Sequence, residues 1–78
     1  MDLNVAAFQP ANLADADFTY ECFQWFARPP SDLSPEHQKN SRDMARRLGL
    51  EFLKRHSGDE NRRKTVRSWI DLYDGSIH

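Results

Sequence analysis

The stretch SPEHQKNSRDMARRLGLEFLKRHSG, residues 34–58, carries the clearest helix-start signal in the chain. Ser34 suits the N-cap and Pro35 the first helical position, where its missing N–H costs nothing. Glu36 then sits at the positive end of the helix dipole. Projected at about 100° per residue, the segment places His37, Ser41, Met44, Ala45, Leu48 and Phe52 on one side. Leu50 and Leu53 fall on the other side, together with Lys39, Arg42 and Arg46. A helix over 35–56 is therefore expected, with two alternatives open at Gly49. Either the glycine breaks the helix and LEFL restarts in a new direction, or the helix runs through at a cost of about 1 kcal/mol relative to alanine. Leu33, just before the cap, is the outer half of a hydrophobic staple whose inner half is only the polar His37 or Gln38.

Upstream, FTYECFQWF at 18–26 packs five aromatic residues and the single cysteine into nine positions. Phe18, Cys22, Trp25 and Phe26 recur at helical spacing and form the expected core stripe, with Phe23 flanking it and Tyr20 pointing elsewhere. Asp15 or Asp17 caps or charges the first turn and Pro29-Pro30 stops the helix, which is expected over 14–27. Downstream, Val66, Trp69, Ile70 and Tyr73 form the most regular stripe, in a helix expected over 60–73. It follows the Ser57-Gly58 stop and an Asp59 cap, and ends at Asp74-Gly75. The leading MDLNVAAFQPAN, residues 1–12, reads as an extended arm because Pro10 disfavours helix just before it. Leu3, Val5 and Phe8 are its packing residues. The expected fold is all-α: a small three-helix domain with an extended N-terminal arm, residues 1–78 forming one domain.

Composition narrows the function classes. A chain of 78 residues with 38% hydrophobic and 29% charged residues reads as a soluble globular domain, and its 12% aromatic content exceeds what disordered chains carry. No run approaches the roughly 20 apolar residues of a membrane span, and no positively charged n-region precedes the first apolar residues. One cysteine makes no internal disulfide, so a reducing, cytoplasmic setting is expected.

The formal net charge is −1, which by itself argues against strong nucleic-acid binding. Its distribution is uneven. Residues 1–35 carry a net −4, residues 36–67 a net +5 and the remainder −2. The densest basic segment is Arg62, Arg63, Lys64 and Arg67, where cations oppose the dipole of the helix they begin, so helix stability does not account for them. A solvated basic face is the ordinary reading. A helix-turn-helix reader, with the start of its second helix against DNA, is the functional one.

Chemistry-bearing patterns are sparse. His37, His56 and His78 are too far apart for a local metal pair, and Cys22 on an aromatic stripe reads as a buried, inert thiol. Three glycines build no phosphate loop, and no nucleophile elbow is present. A domain this small is also expected to lack walls enclosing a cleft of about 300 Å³ or more. No enzyme activity, cofactor or metal is expected.

Two functions follow. The first is a non-catalytic protein-binding regulator or inhibitor that presents a helical surface to a larger protein partner. It is motivated by apolar side chains projecting off the stripes, Tyr20, Leu50, Leu53 and Leu72, with Lys39, Arg42 and Arg46 beside them. The second is a dimeric, helix-turn-helix-like DNA-binding regulator acting through Arg62, Arg63, Lys64 and Arg67. That reading requires the last two helices to meet near a right angle. In either case a homodimer would cover part of the apolar surface.

Overall fold

The structure, a computed structural model, describes residues 7–76. The described residues are all-α, with no strand among them. Four helices are described, in order: α1 (Pro10–Leu13), α2 (Ala16–Ala27), α3 (Pro35–Arg55) and α4 (Glu60–Ser76). None of them is long and apolar enough to cross a membrane.

Local chemistry sets the helix starts as expected. The Asp15 carboxylate caps α2 by accepting the Phe18 N–H at 3.1 Å. Ser34 caps α3, accepting the His37 N–H at 3.3 Å with Pro35 at the first helical position. Asp59 accepts the Arg62 N–H at 3.2 Å at the head of α4. Leu33 forms no staple; the Gln38 side chain instead donates to the Leu33 carbonyl at 2.9 Å, so a hydrogen bond fixes the chain entry.

The arm departs from the expectation. Pro10 does not extend the chain; it begins α1, because a proline at the first helical position has its φ preset and no N–H to leave orphaned. Leu3 and Val5 lie outside the described residues. Phe8 is partly buried against the core, with the Arg47 guanidinium 5.1 Å above its ring.

α3 is the central element and runs through Gly49 unbroken. The reason is the space between helices. A Cβ at Gly49 would meet Val66 Cγ1 at 2.9 Å, Ile70 Cδ1 at 3.0 Å and Phe23 Cε1 at 3.3 Å, so the bare backbone lets α2 and α4 close onto α3. α4 also runs past Asp74-Gly75 to Ser76. No described glycine has positive φ, so none acts as a left-handed cap.

The core comprises Ala7, Leu13, Cys22, Phe23, Phe26, Ala45, Leu48, Phe52, Val66 and Ile70. In α2 the buried arc is Thr19, Cys22, Phe23 and Phe26, not the stripe through Trp25. Trp25 is 60% exposed and Phe23 only 2%. The arc is turned toward Thr19, whose hydroxyl donates to the carbonyls of Asn12 at 3.0 Å and Leu13 at 3.3 Å. The Asn12 carbonyl also accepts the Asp15 N–H at 3.1 Å, whereas the Leu13 carbonyl at the end of α1 has no backbone donor among the described residues, and burying it requires a side-chain one. His56 Nε2 supports the same corner, 2.9 Å from the Leu13 oxygen.

Candidate functional site

α3 and α4 lie side by side with their contacts in opposite order. Arg63 donates to the Leu53 carbonyl at one end, Gly49 faces Val66 and Ile70 in the middle, and Arg46 and Asp43 meet Asp74 and Tyr73 at the other. This is the contact order of an antiparallel pair. Where the two helices meet Trp69, an open hollow of about 360 Å³ forms, lined by Arg42, Trp69, Leu72 and Tyr73. It reaches the size that the sequence argued against, but it lies open on the surface and encloses nothing.

The wall of the hollow is aromatic and held from behind. Trp69 and Tyr73, one turn apart, stack with centroids 5.1 Å apart at 8°, and Trp69 meets the buried Phe23 edge-on at 5.4 Å. The Tyr73 hydroxyl donates to the Asp43 carboxylate. That bond holds the Asp43 carboxyl below the ordinary carboxylate range, and it pushes the Tyr73 hydroxyl above the ordinary tyrosine value, with desolvation adding to the rise. Arg42 lies close enough to the same hydroxyl to oppose that rise. The rim is apolar: Leu72 is 76% exposed, the most exposed of the large hydrophobic residues among the described ones.

The neighbouring charges are committed elsewhere. Arg46 bonds both carboxylate oxygens of Asp74, at 2.8 and 3.2 Å, and Lys39 bonds Asp43 at 3.3 Å. Arg42 makes no hydrogen bond or ion pair among the described residues.

Of the residues proposed from sequence for partner binding, Arg42 lines this hollow, while Lys39 and Arg46 are bonded to Asp43 and Asp74. Leu50 is 43% exposed. Tyr20 and Leu53 do not project away as expected, since both are partly buried against the core. Tyr20 packs on Phe23 and Phe52, with ring centroids 6.1 and 5.7 Å away, and Arg62 covers its outer face at 5.0 Å. The spacing in α4 places Trp69 and Tyr73 in the core with Val66 and Ile70, whereas in the fold both are only partly buried. The missed signal was their position at one edge of the stripe, beside Leu72.

The basic segment divides. Arg62 reaches across the surface to α2, bonding Asp17 at 2.6 Å and lying 3.4 Å from Asp59, which together hold its guanidinium pKa above the ordinary value. Arg63 is held by the Leu53 carbonyl. Lys64 and Arg67 are exposed and, with Glu60 and Arg63, line a small hollow of about 70 Å³. Cys22 is buried, and desolvation, with Glu21 adding, pushes its thiol pKa up. His37 sits at the exposed start of α3, its Nδ1 2.8 Å from Ser34 Oγ. Among the described residues no group of three or more His, Cys, Asp or Glu is placed to hold a metal, and no buried side-chain polar atom lacks a partner.

No family model, curated protein or solved structure matches this chain.

Proposed function

We propose that this chain is a non-catalytic protein-binding domain, a regulator or inhibitor that presents the Arg42–Trp69–Leu72–Tyr73 face to a larger protein. The observation that carries this reading is Leu72, left 76% exposed on the rim of a stacked Trp–Tyr wall. Exposed apolar side chains beside rigid aromatics and an arginine are the composition of interface anchors. Catalysis at this hollow finds no support in the lining side chains. Its one hydroxyl, on Tyr73, is bonded to Asp43 and is harder to ionise than an ordinary tyrosine, which is opposite to what a nucleophile or base needs.

The test is recovery of bound protein from lysate by the tagged chain, with and without nuclease, wild type against Leu72→Asp. A stoichiometric protein that survives nuclease and is lost in the variant is the expected result. Capture that needs nucleic acid, or that ignores Leu72, contradicts the reading.

The DNA-binding alternative retains one favourable observation, the exposed Lys64 and Arg67 at the start of α4. Against it stand the committed Arg62 and Arg63 and the antiparallel contact order of α3 and α4. Substituting all four by Gln would flatten a salt-dependent binding curve if this alternative operates.

A further inference from the structure

The hollow between α3 and α4 combines two features that together specify the chemistry of an occupant. One is apolar: the Trp69–Tyr73 stack, braced by Phe23, with Leu72 exposed at its rim. The other is a single uncommitted cation. Beside it three charged groups are matched: Lys39 to Asp43, Asp43 to Tyr73, and Arg46 to Asp74 through two hydrogen bonds. Arg42 alone lines the hollow without a hydrogen bond or ion pair among the described residues, and it is half-buried. A guanidinium removed in part from water, with no acceptor of its own, favours a carboxylate that can take its planar fork.

Resting on the protein-binding reading above, we infer that the occupant is an acidic, amphipathic peptide segment of the partner. One Asp or Glu of that segment meets Arg42, and a large apolar side chain beside it lies on Trp69 and Leu72. Charge complementarity selects this occupant over a second copy of the chain seated on the same face. A two-fold contact there would bring two uncommitted Arg42 side chains onto one apolar patch, while Asp43 and Asp74 beside it already have partners. The open, shallow form of the hollow suits a side chain presented on a helix, not an enclosed small molecule.

The test selects short random peptides displayed on phage against the full chain. A synthetic copy of the best binder and its Glu→Gln or Asp→Asn analogue are then titrated against wild type, Arg42→Gln and Leu72→Asp, with circular dichroism checking that each variant keeps its helices. The inference requires selected peptides in which an acidic residue adjoins Leu, Phe or Trp. It also requires binding to weaken about tenfold both when the peptide loses its carboxylate and when Arg42 is replaced, the two losses not adding because they remove one interaction. Peptides that bind through Leu72 but are indifferent to their own carboxylate and to Arg42 overturn this inference while leaving the protein-binding face intact. Peptides indifferent to both residues, or no enrichment over a chain carrying Arg42→Gln and Leu72→Asp together, overturn both. A wild-type dimer that Leu72→Asp converts to monomer overturns the inference in favour of self-association.

Discussion

Gly49 faces Val66 so closely that a methyl group on it would stand 2.9 Å from Val66 Cγ1, nearer than carbon atoms pack. The contact sets the spacing of α3 and α4, and with it the depth of the hollow above Trp69. Gly49→Ala gains up to about 1 kcal/mol of helix propensity and pays an overpacking cost of about 1–3 kcal/mol. The expected outcome is net destabilisation of about 1 kcal/mol, read from urea denaturation. A stabilised variant would mean that Val66 and Ile70 can move aside.

Among the described residues Thr19 is the only polar one with a buried side chain, and its hydroxyl serves the carbonyls of Asn12 and Leu13. Thr19→Val preserves shape and removes the donor, so it is expected to cost about 1–3 kcal/mol. Amide hydrogen exchange should locate the loss, with protection falling first at the α1–α2 corner. Uniform loss across α3 and α4 would contradict a local capping role.

Phe23 and Trp25 of α2 separate core from surface. Phe23→Ala is expected to cost about 3–5 kcal/mol, whereas the largely exposed Trp25 is expected to give a much smaller change on truncation. Equal costs at the two positions would restore the stripe read from spacing alone.

The Tyr73–Asp43 bond makes a pH prediction with two signs. Asp43 titrates below its unfolded value of about 3.9, so its contribution is full above that pH and is lost as pH falls through the folded value. Tyr73 titrates above its unfolded value of about 10, so its contribution is full below that pH and is lost as pH rises through the folded value. Tyr73→Phe should therefore be less stable by about 1 kcal/mol at neutral pH, with the difference from wild type shrinking at both extremes. Carboxyl NMR should show the Asp43 pKa rising in the variant.

The helix starts were legible because capping is local chemistry: Ser34 with Pro35, Asp15 and Asp59 each act within one turn. The stripe of α4 was readable at its centre, with Val66 and Ile70 buried as spaced, but not at its edge, where Trp69 and Tyr73 are only partly buried. The α2 arc was not. Ranking residues by hydrophobicity places Trp25 inside and Thr19 outside, whereas the carbonyls of α1, a non-local demand, reverse them. Gly49 left two outcomes in the sequence because its propensity cost is local and the close approach that offsets it is tertiary. Leu72 and Arg42 were both singled out from sequence, but on separate grounds. Only folding brings Trp69 and Tyr73 between them, since α3 and α4 must lie antiparallel for the four to share one surface.

The most direct measurement uses the chain's own two tryptophans, whose indole N–H resonances report from separate surfaces. With the partner recovered from lysate added to the isotope-labelled chain, the Trp69 indole is expected to shift or broaden while that of Trp25 stays in place. Movement of Trp25 with Trp69 unchanged would place the interface on α2 and contradict the assignment of the α3–α4 hollow.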